Sequence, residues 1–173
     1  ARNTGLAKAK GQYLMFLDSD DILLDFALKQ RLEAFLKNPN LDLVIGAQCR
    51  VENGKSLALV NIPTTENPLL RFFSVYPYND IPWVNSPLFN AKFLKLNQIK
   101  WDENLTRFQD IQYNLEAVIA QANHQWLPEV DFHWMASKTG KNIGTDLSNY
   151  ADKLNNLGLY YSKALTKIAE KQP

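Results

Sequence analysis

Three features of this 173-residue chain predict an α/β fold. The apolar run Tyr13-Leu14-Met15-Phe16-Leu17 stops abruptly at Asp18-Ser19-Asp20-Asp21. This is the pattern of a buried strand that carries polar residues to its carboxyl end, where open α/β sheets gather their ligands. Segments rich in β-branched residues then alternate with segments of helical periodicity. Finally, 46% hydrophobic content over this length can bury about two-thirds of the unfolded chain's surface, so a single domain is expected over residues 1–173.

The chain has no initiator Met, and Arg2, Leu6, Ala7 and Ala9 suit a helix that no capping residue precedes and that Gly11 stops. Gln12 to Leu17 is expected as an inner strand. Leu28, Leu32, Phe35 and Leu36 repeat at helical spacing from about Asp25 to Lys37, ahead of the stop Asn38-Pro39-Asn40, and that face is expected in the core. Leu41 to Val51 reads as a second strand, turned by Asn53-Gly54 into a hairpin partner at Leu57 to Ile62. Five prolines from Pro63 to Pro87, interleaved with Phe72, Tyr76, Tyr78 and Trp83, predict irregular loops around a short helix near Glu66 to Phe73.

Asn85 to Asn90 suits a strand, Ala91 to Leu96 a short helix, and Trp101 to Leu105 a loop. Asp110 opens a helix through Ala120 whose apolar face is Ile111, Leu115, Val118 and Ile119; on periodicity alone, an N-cap role suits Asp110. Gln125 to Met135 reads as a strand, with His133 a packed residue within it and His124 a surface residue before it. Leu147, Tyr150, Leu154, Leu157, Tyr161, Leu165 and Ile168 recur every three or four residues, predicting an amphipathic terminal helix over 147–171 that packs on the core.

Charge and cysteine usage narrow the function. Nineteen Lys and Arg balance 18 Asp and Glu, a net charge of +1 with no footprint for a nucleic-acid backbone. The single Cys49 excludes an internal disulfide and a cysteine-based zinc site, and suits a cytoplasmic setting. No apolar run reaches the ~18 residues of a membrane span and no signal-peptide pattern opens the chain. The lysine-bearing face of the terminal helix offers at most peripheral contact with the inner face of a membrane.

The acidic turn poses the chemical question. Two carboxylates about 4 Å apart repel by roughly 4 kcal/mol at an effective dielectric of ~20, so something cationic must relieve them. A bound metal would do so; a solvated helix cap is the plainer alternative. A calcium loop is ruled out because Ile22 replaces an oxygen ligand and Leu23 the turn glycine. Trp83 sits among the loop aromatics, where an indole either stacks on an acceptor sugar or fills the core.

Ala1-Arg2-Asn3-Thr4-Gly5-Leu6, with Ala9, Gly11 and Tyr13 through Asp21, resembles the central signature of the family 2 glycosyltransferases, including their Asp-x-Asp motif. Leu88 through Asp110 is similar to the acceptor-side segment of that family, in which an aromatic-acidic loop leads to a Glu-Asp pair; here the pair is Gln109-Asp110. A Tyr-Arg pair that the family often carries near the Gln125 to Met135 segment is missing, and Lys138 and Lys141 in the loop Ser137 to Gly144 could supply positive charge instead.

The resemblance implies a GT-A type, Rossmann-like nucleotide-diphospho-sugar transferase fold. It further implies that the chain is the carboxyl-terminal portion, a fragment without the amino-terminal units that hold most of the nucleotide, inactive alone and covering its open sheet edge by dimerising or by pairing with its own chain. The implied reaction moves a sugar, with inversion, from a nucleotide-diphosphate sugar to a hydroxyl of a carbohydrate or lipid-linked acceptor in cell-surface polysaccharide synthesis. Asp110 is then the base, Asp20 the ligand of Mn²⁺ or Mg²⁺, Asp18 a second ligand or a ribose contact, and Arg2 a nucleotide contact. Two rivals are a haloacid dehalogenase-like phosphohydrolase, with Gly144-Thr145-Asp146 and Asp152 as a downstream acidic motif, and a non-catalytic carbohydrate-binding module.

Overall fold

The computed structural model describes residues 1–60, 87–135 and 150–171. Trp83, Lys138, Lys141, Gly144-Thr145-Asp146 and the short helix expected near Glu66 to Phe73 lie outside the described residues. The elements in chain order are α1 (Arg2–Lys8), β1 (Tyr13–Leu14), β2 (Ile22–Leu23), α2 (Ala27–Lys37), β3 (Leu43–Glu52), β4 (Lys55–Val60), β5 (Pro87–Asn90), α3 (Ala91–Leu96), α4 (Gln109–Ile119), β6 (His124–Met135) and α5 (Tyr150–Lys171).

β3 is the axis of a six-stranded mixed sheet. Along one edge it pairs in parallel with β6, from Leu43 opposite His124 to Val51 opposite Met135. A parallel pair needs a long crossover, which here carries α3 and α4. Its other edge is shared: β5 takes Leu43 to Ile45 and β4 takes Gln48 to Glu52, both antiparallel. The β3–β4 hairpin turns on Asn53 (φ 50°) and Gly54 (φ 76°), the paired positive φ values that a tight two-residue turn requires. Among the described residues β1 pairs with β5 and β2 with β6, so the strand path runs β1-β5-β3-β6-β2.

Strand alternation divides the core. Leu43 and Ile45 of β3 pack with Phe89, Phe93, Leu94, Trp101 and Tyr113. Val44, between them, packs with Leu88, Leu41 and the α2 residues Ala34 and Phe35. A third cluster joins α4 to α5 through Leu105, Ile111, Leu115, Ile119, Tyr160 and Ala164. Cys49 is buried in β3.

Several expectations are corrected. The inner strand over Gln12 to Leu17 is only Tyr13–Leu14, partly buried at one end of the described sheet, with Leu17 51% exposed. Extending the Tyr13↔Asn90 register would set Phe16 against Pro87, which has no N–H to donate. The buried face of α2 is Ala27, Arg31, Ala34 and Phe35, while Leu28, Leu32 and Leu36 face outward. Small alanines let the helix approach the sheet, and the polar Arg31 holds a fully buried position because Asp131 pairs with it. α5 is rotated likewise: Asn156, Tyr160 and Ala164 are buried, whereas Leu154 and Leu165 are exposed. Asp110 is not the N-cap of α4; Phe108 is, and Asp110 stands in the first turn. Among the described residues, no helix is long and apolar enough to cross a membrane.

Candidate active site

Between β1 and β2 the chain leaves one side of the sheet and rejoins it on the other, and the acidic turn lies in that passage. The Asp21 N–H closes the turn on the Asp18 carbonyl at 3.2 Å, leaving Ser19 and Asp20 exposed at its apex. Asp21 Oδ1 accepts the Met135 N–H at 2.8 Å, and the Leu24 N–H reaches the Asp131 carbonyl at 2.9 Å. Asp21 is therefore a fastener to β6. Asp20 is the carboxylate presented to solvent.

The cation that relieves the turn comes from α1. Arg2 Nη2 lies 3.3 Å from Asp18 Oδ1, and Arg2 Nη1 donates to Gln109 Oε1 at 2.8 Å. The guanidinium carbon sits 4.6 Å from the centroid of the Trp101 ring. Trp101 is itself fixed, stacked on Tyr113 at 4.3 Å and bonded through its peptide to Asn3: its N–H donates to Asn3 Oδ1 and its carbonyl accepts from Asn3 Nδ2, both at 2.9 Å.

Asp110 enters the same region from α4. Its carboxylate accepts from its own N–H and that of Ile111. Burial nevertheless dominates and pushes its carboxyl above the ordinary aspartate value; Arg2 pulls it down and Asp18 pushes it up through space. Arg2 thus joins Asp18 to Gln109, the neighbour of Asp110, although 107 positions separate Arg2 from Gln109.

The turn that launches Asp110 is strained and braced. Phe108 adopts φ 60°, the left-handed region, at a cost on the order of 1–2 kcal/mol for a non-glycine residue. Its ring stacks on Tyr160 of α5 at 6.2 Å, and Gln109 Nε2 donates to the Leu105 carbonyl. Asn156 Oδ1 accepts the N–H groups of Thr106 at 2.8 Å and Arg107 at 3.1 Å. The Lys163–Asp102 and Lys167–Glu116 ion pairs hold α5 alongside. Burial pushes Asp102 up, but its bonds with Lys163 and Asn104 outweigh that and hold it below the usual carboxylate value. Asn3 and Trp101 lie inside the segments that resemble the family, but the resemblance assigns them no role, and Asn156 and Tyr160 carry no site signal because each acts through a distant turn.

The donor set suits one kind of metal. Among the described residues no three His, Cys, Asp or Glu side chains gather around a common point, and Asp20 is exposed. One or two carboxylates beside an open face fit a hard divalent ion that completes its shell with water and substrate phosphates. They do not fit a closed zinc site.

A sequence model described as "Glycosyl transferase family 2" matches residues 1–91, which span α1, the acidic turn and β3. The chain is 45% identical over 56 residues to the Staphylococcus aureus poly(ribitol-phosphate) beta-N-acetylglucosaminyltransferase TarP, covering 32% of this chain and 17% of that protein. It is 25% identical over 144 residues to a poly(ribitol-phosphate) beta-glucosyltransferase of Bacillus spizizenii, covering 82% of this chain and 22% of that protein. The fold matches the crystal structure of S. aureus TarS 1-349 in complex with UDP-GlcNAc with a TM-score of 0.69 and 21% identity, over 98% of this chain and 48% of that one. The chain thus spans about a fifth of the length of these two relatives and about half of the matched structure. The mixed α/β architecture is the GT-A type expected from the sequence.

Proposed function

From the premise that the chain belongs to glycosyl transferase family 2, we propose that it transfers a sugar from a UDP-linked donor to a hydroxyl of a polyol-phosphate polymer, inverting the anomeric carbon. The observation that carries the reading is that Arg2 bonds both Asp18 of the acidic turn and Gln109, the neighbour of Asp110, beside the exposed Asp20. The donor class is supported by the UDP and UDP-GlcNAc bound in the TarS structures. The acceptor class is supported by the named substrates of the poly(ribitol-phosphate) transferases.

The chemistry follows from what each group can do. An attacking hydroxyl must lose its proton as it forms the new bond, and Asp110 is the carboxylate to receive it. Burial raises its affinity for a proton above that of a fully solvated aspartate, which suits a base, and the Arg2 charge pulls in the opposite direction. Asp20, with Asp18 beside it, would hold a Mg²⁺ or Mn²⁺ ion, which when bound neutralises charge on a departing diphosphate. Backside attack sets base and leaving group on opposite sides of the sugar, consistent with contributions from separate turns.

The test is turnover by the full protein chain with UDP-N-acetylglucosamine and UDP-glucose, Mn²⁺ and poly(ribitol phosphate). UDP release that requires acceptor, with sugar appearing in the polymer, is the expected result. Phosphate release from an aryl phosphate, or sugar binding without turnover of either donor, would return the protein to one of the two rival classes.

A further inference from the structure

We propose that Arg2 and Gln109 form a positioning pair that fastens the Asp110 turn to the acidic turn, so that the spacing between base and donor is set by protein–protein bonds of Arg2. This rests on the transferase reading and adds to it. Arg2 meets three separate segments at once: Asp18 Oδ1 at 3.3 Å, Gln109 Oε1 at 2.8 Å and the Trp101 ring at 4.6 Å. A planar guanidinium with donors on two nitrogens can bridge two acceptors in this way, and a lysine ammonium cannot reproduce the fork.

Each partner is held from behind. Asn3, the next residue in α1, clasps the Trp101 peptide through two 2.9 Å bonds and also donates to Glu103 at 2.8 Å, fixing the indole beneath Arg2. Gln109 uses both ends of its amide: the oxygen accepts from Arg2 and the nitrogen donates to the Leu105 carbonyl. That double use gives a reason for Gln where the resembled family has Glu. A carboxylate at 109 would still accept from Arg2, but it would set a second oxygen against the Leu105 carbonyl and lose the bond that closes the strained Phe108 turn. Asp110 follows directly, so any slack at Gln109 moves the base.

The experiment is a double-mutant cycle in the full chain with Arg2→Lys, Gln109→Ala and both together, reading kcat for transfer, KM for the UDP-sugar and UDP binding by calorimetry. Each single change should lower kcat by roughly 10²-fold, the scale for a catalytic group displaced by about 1 Å, with UDP affinity held within about two-fold. The double variant should be no slower than the worse single, because the two residues act as one unit. Gln109→Glu should not restore the rate, since the Leu105 bond is still lost. A UDP affinity that collapses in Arg2→Lys while Gln109→Ala is silent would overturn the proposal and make Arg2 a nucleotide ligand; multiplicative losses would overturn it too. If the unmodified chain transfers no sugar, the transferase reading fails separately, and urea midpoints of the same four proteins still test the coupling: additive shifts would refute it.

Discussion

Arg31 and Asp131 face each other through two 2.6 Å hydrogen bonds, Nε to Oδ2 and Nη2 to Oδ1, with neither side chain exposed. The pair joins α2 to β6 across 100 positions, and a Cβ at Gly46 would collide with the Asp131 carboxylate, so the glycine makes room for it. The Asp131 carbonyl also holds Leu24, where the chain leaves the acidic turn. Removing one partner strands a buried charge, at a cost of about 3–5 kcal/mol, whereas replacing both by apolar residues of similar volume is near neutral. Arg31→Met and Asp131→Leu should each lower the urea midpoint severely, and the double variant should recover most of the loss. A double variant as weak as either single would show that the pair's worth lies in other contacts of these residues.

Asp110→Asn separates catalysis from stability. Transfer should fall by the ~10²–10⁴-fold typical of a lost general base, with UDP affinity nearly intact. The sign for stability is opposite. Asp110 has a folded pKa above its unfolded value of 3.8, so its contribution is fully present below that value and is lost as pH rises through the folded pKa. At neutral pH the ionised form is the unfavourable one, so the Asn variant should melt no lower than the parent. For the same reason the acid limb of the parent's pH–rate profile should lie above 3.8. Near-normal transfer by Asp110→Asn at saturating donor and metal would place the base elsewhere.

Asp20→Asn tests the apex of the turn. The change removes one formal charge and a hard oxygen ligand while leaving volume almost unchanged, so Mn²⁺ should no longer stimulate turnover. Asp21→Asn is the contrast: its Oδ1 serves the Met135 N–H, and an amide oxygen can still accept that bond. Metal response should survive there. Equal metal dependence in Asp20→Asn and the parent would make the acidic turn a solvated connection and nothing more.

Local chemistry explains which parts of this fold were legible in the sequence. The Asn53-Gly54 hairpin, the Asn38 stop and the α4 face of Ile111, Leu115 and Ile119 were readable because their signals lie within a few residues of the structure they cause. The buried faces of α2 and α5 were not, because each carries a polar residue satisfied from far away: Arg31 by Asp131, and Asn156 by the 106–107 turn. Hydrophobic periodicity scores such positions as exposed and shifts the predicted face by one residue. In the candidate site, Asp18 and Asp20 stand out as a cluster of carboxylates after a strand and Asp110 only through the family resemblance, whereas the bonds that tie Gln109 to Arg2 and Asn3 to Trp101 are announced by no spacing.

The same long-range logic makes Asn156 a sensitive point for activity despite its place on α5. Its Oδ1 accepts the N–H groups of Thr106 and Arg107, while its Nδ2 donates to the Asp152 carbonyl of its own helix at 2.9 Å, so the amide is anchored on α5 and its oxygen closes the turn ahead of Phe108. Asn156→Ala leaves two backbone donors without their acceptor, at a cost of about 1–3 kcal/mol each if water cannot replace it. The first structure to relax should be the left-handed Phe108, since its strain is held only by its neighbours, and Asp110 would move with it. Asn156→Ala should therefore lower both the melting temperature and kcat, with UDP affinity unchanged. Asn156→Asp keeps an acceptor for both N–H groups but brings a second carboxylate against Asp152, so it should recover turnover more fully than stability. Loss of stability in Asn156→Ala with undiminished kcat would show that the turn holds its shape without α5.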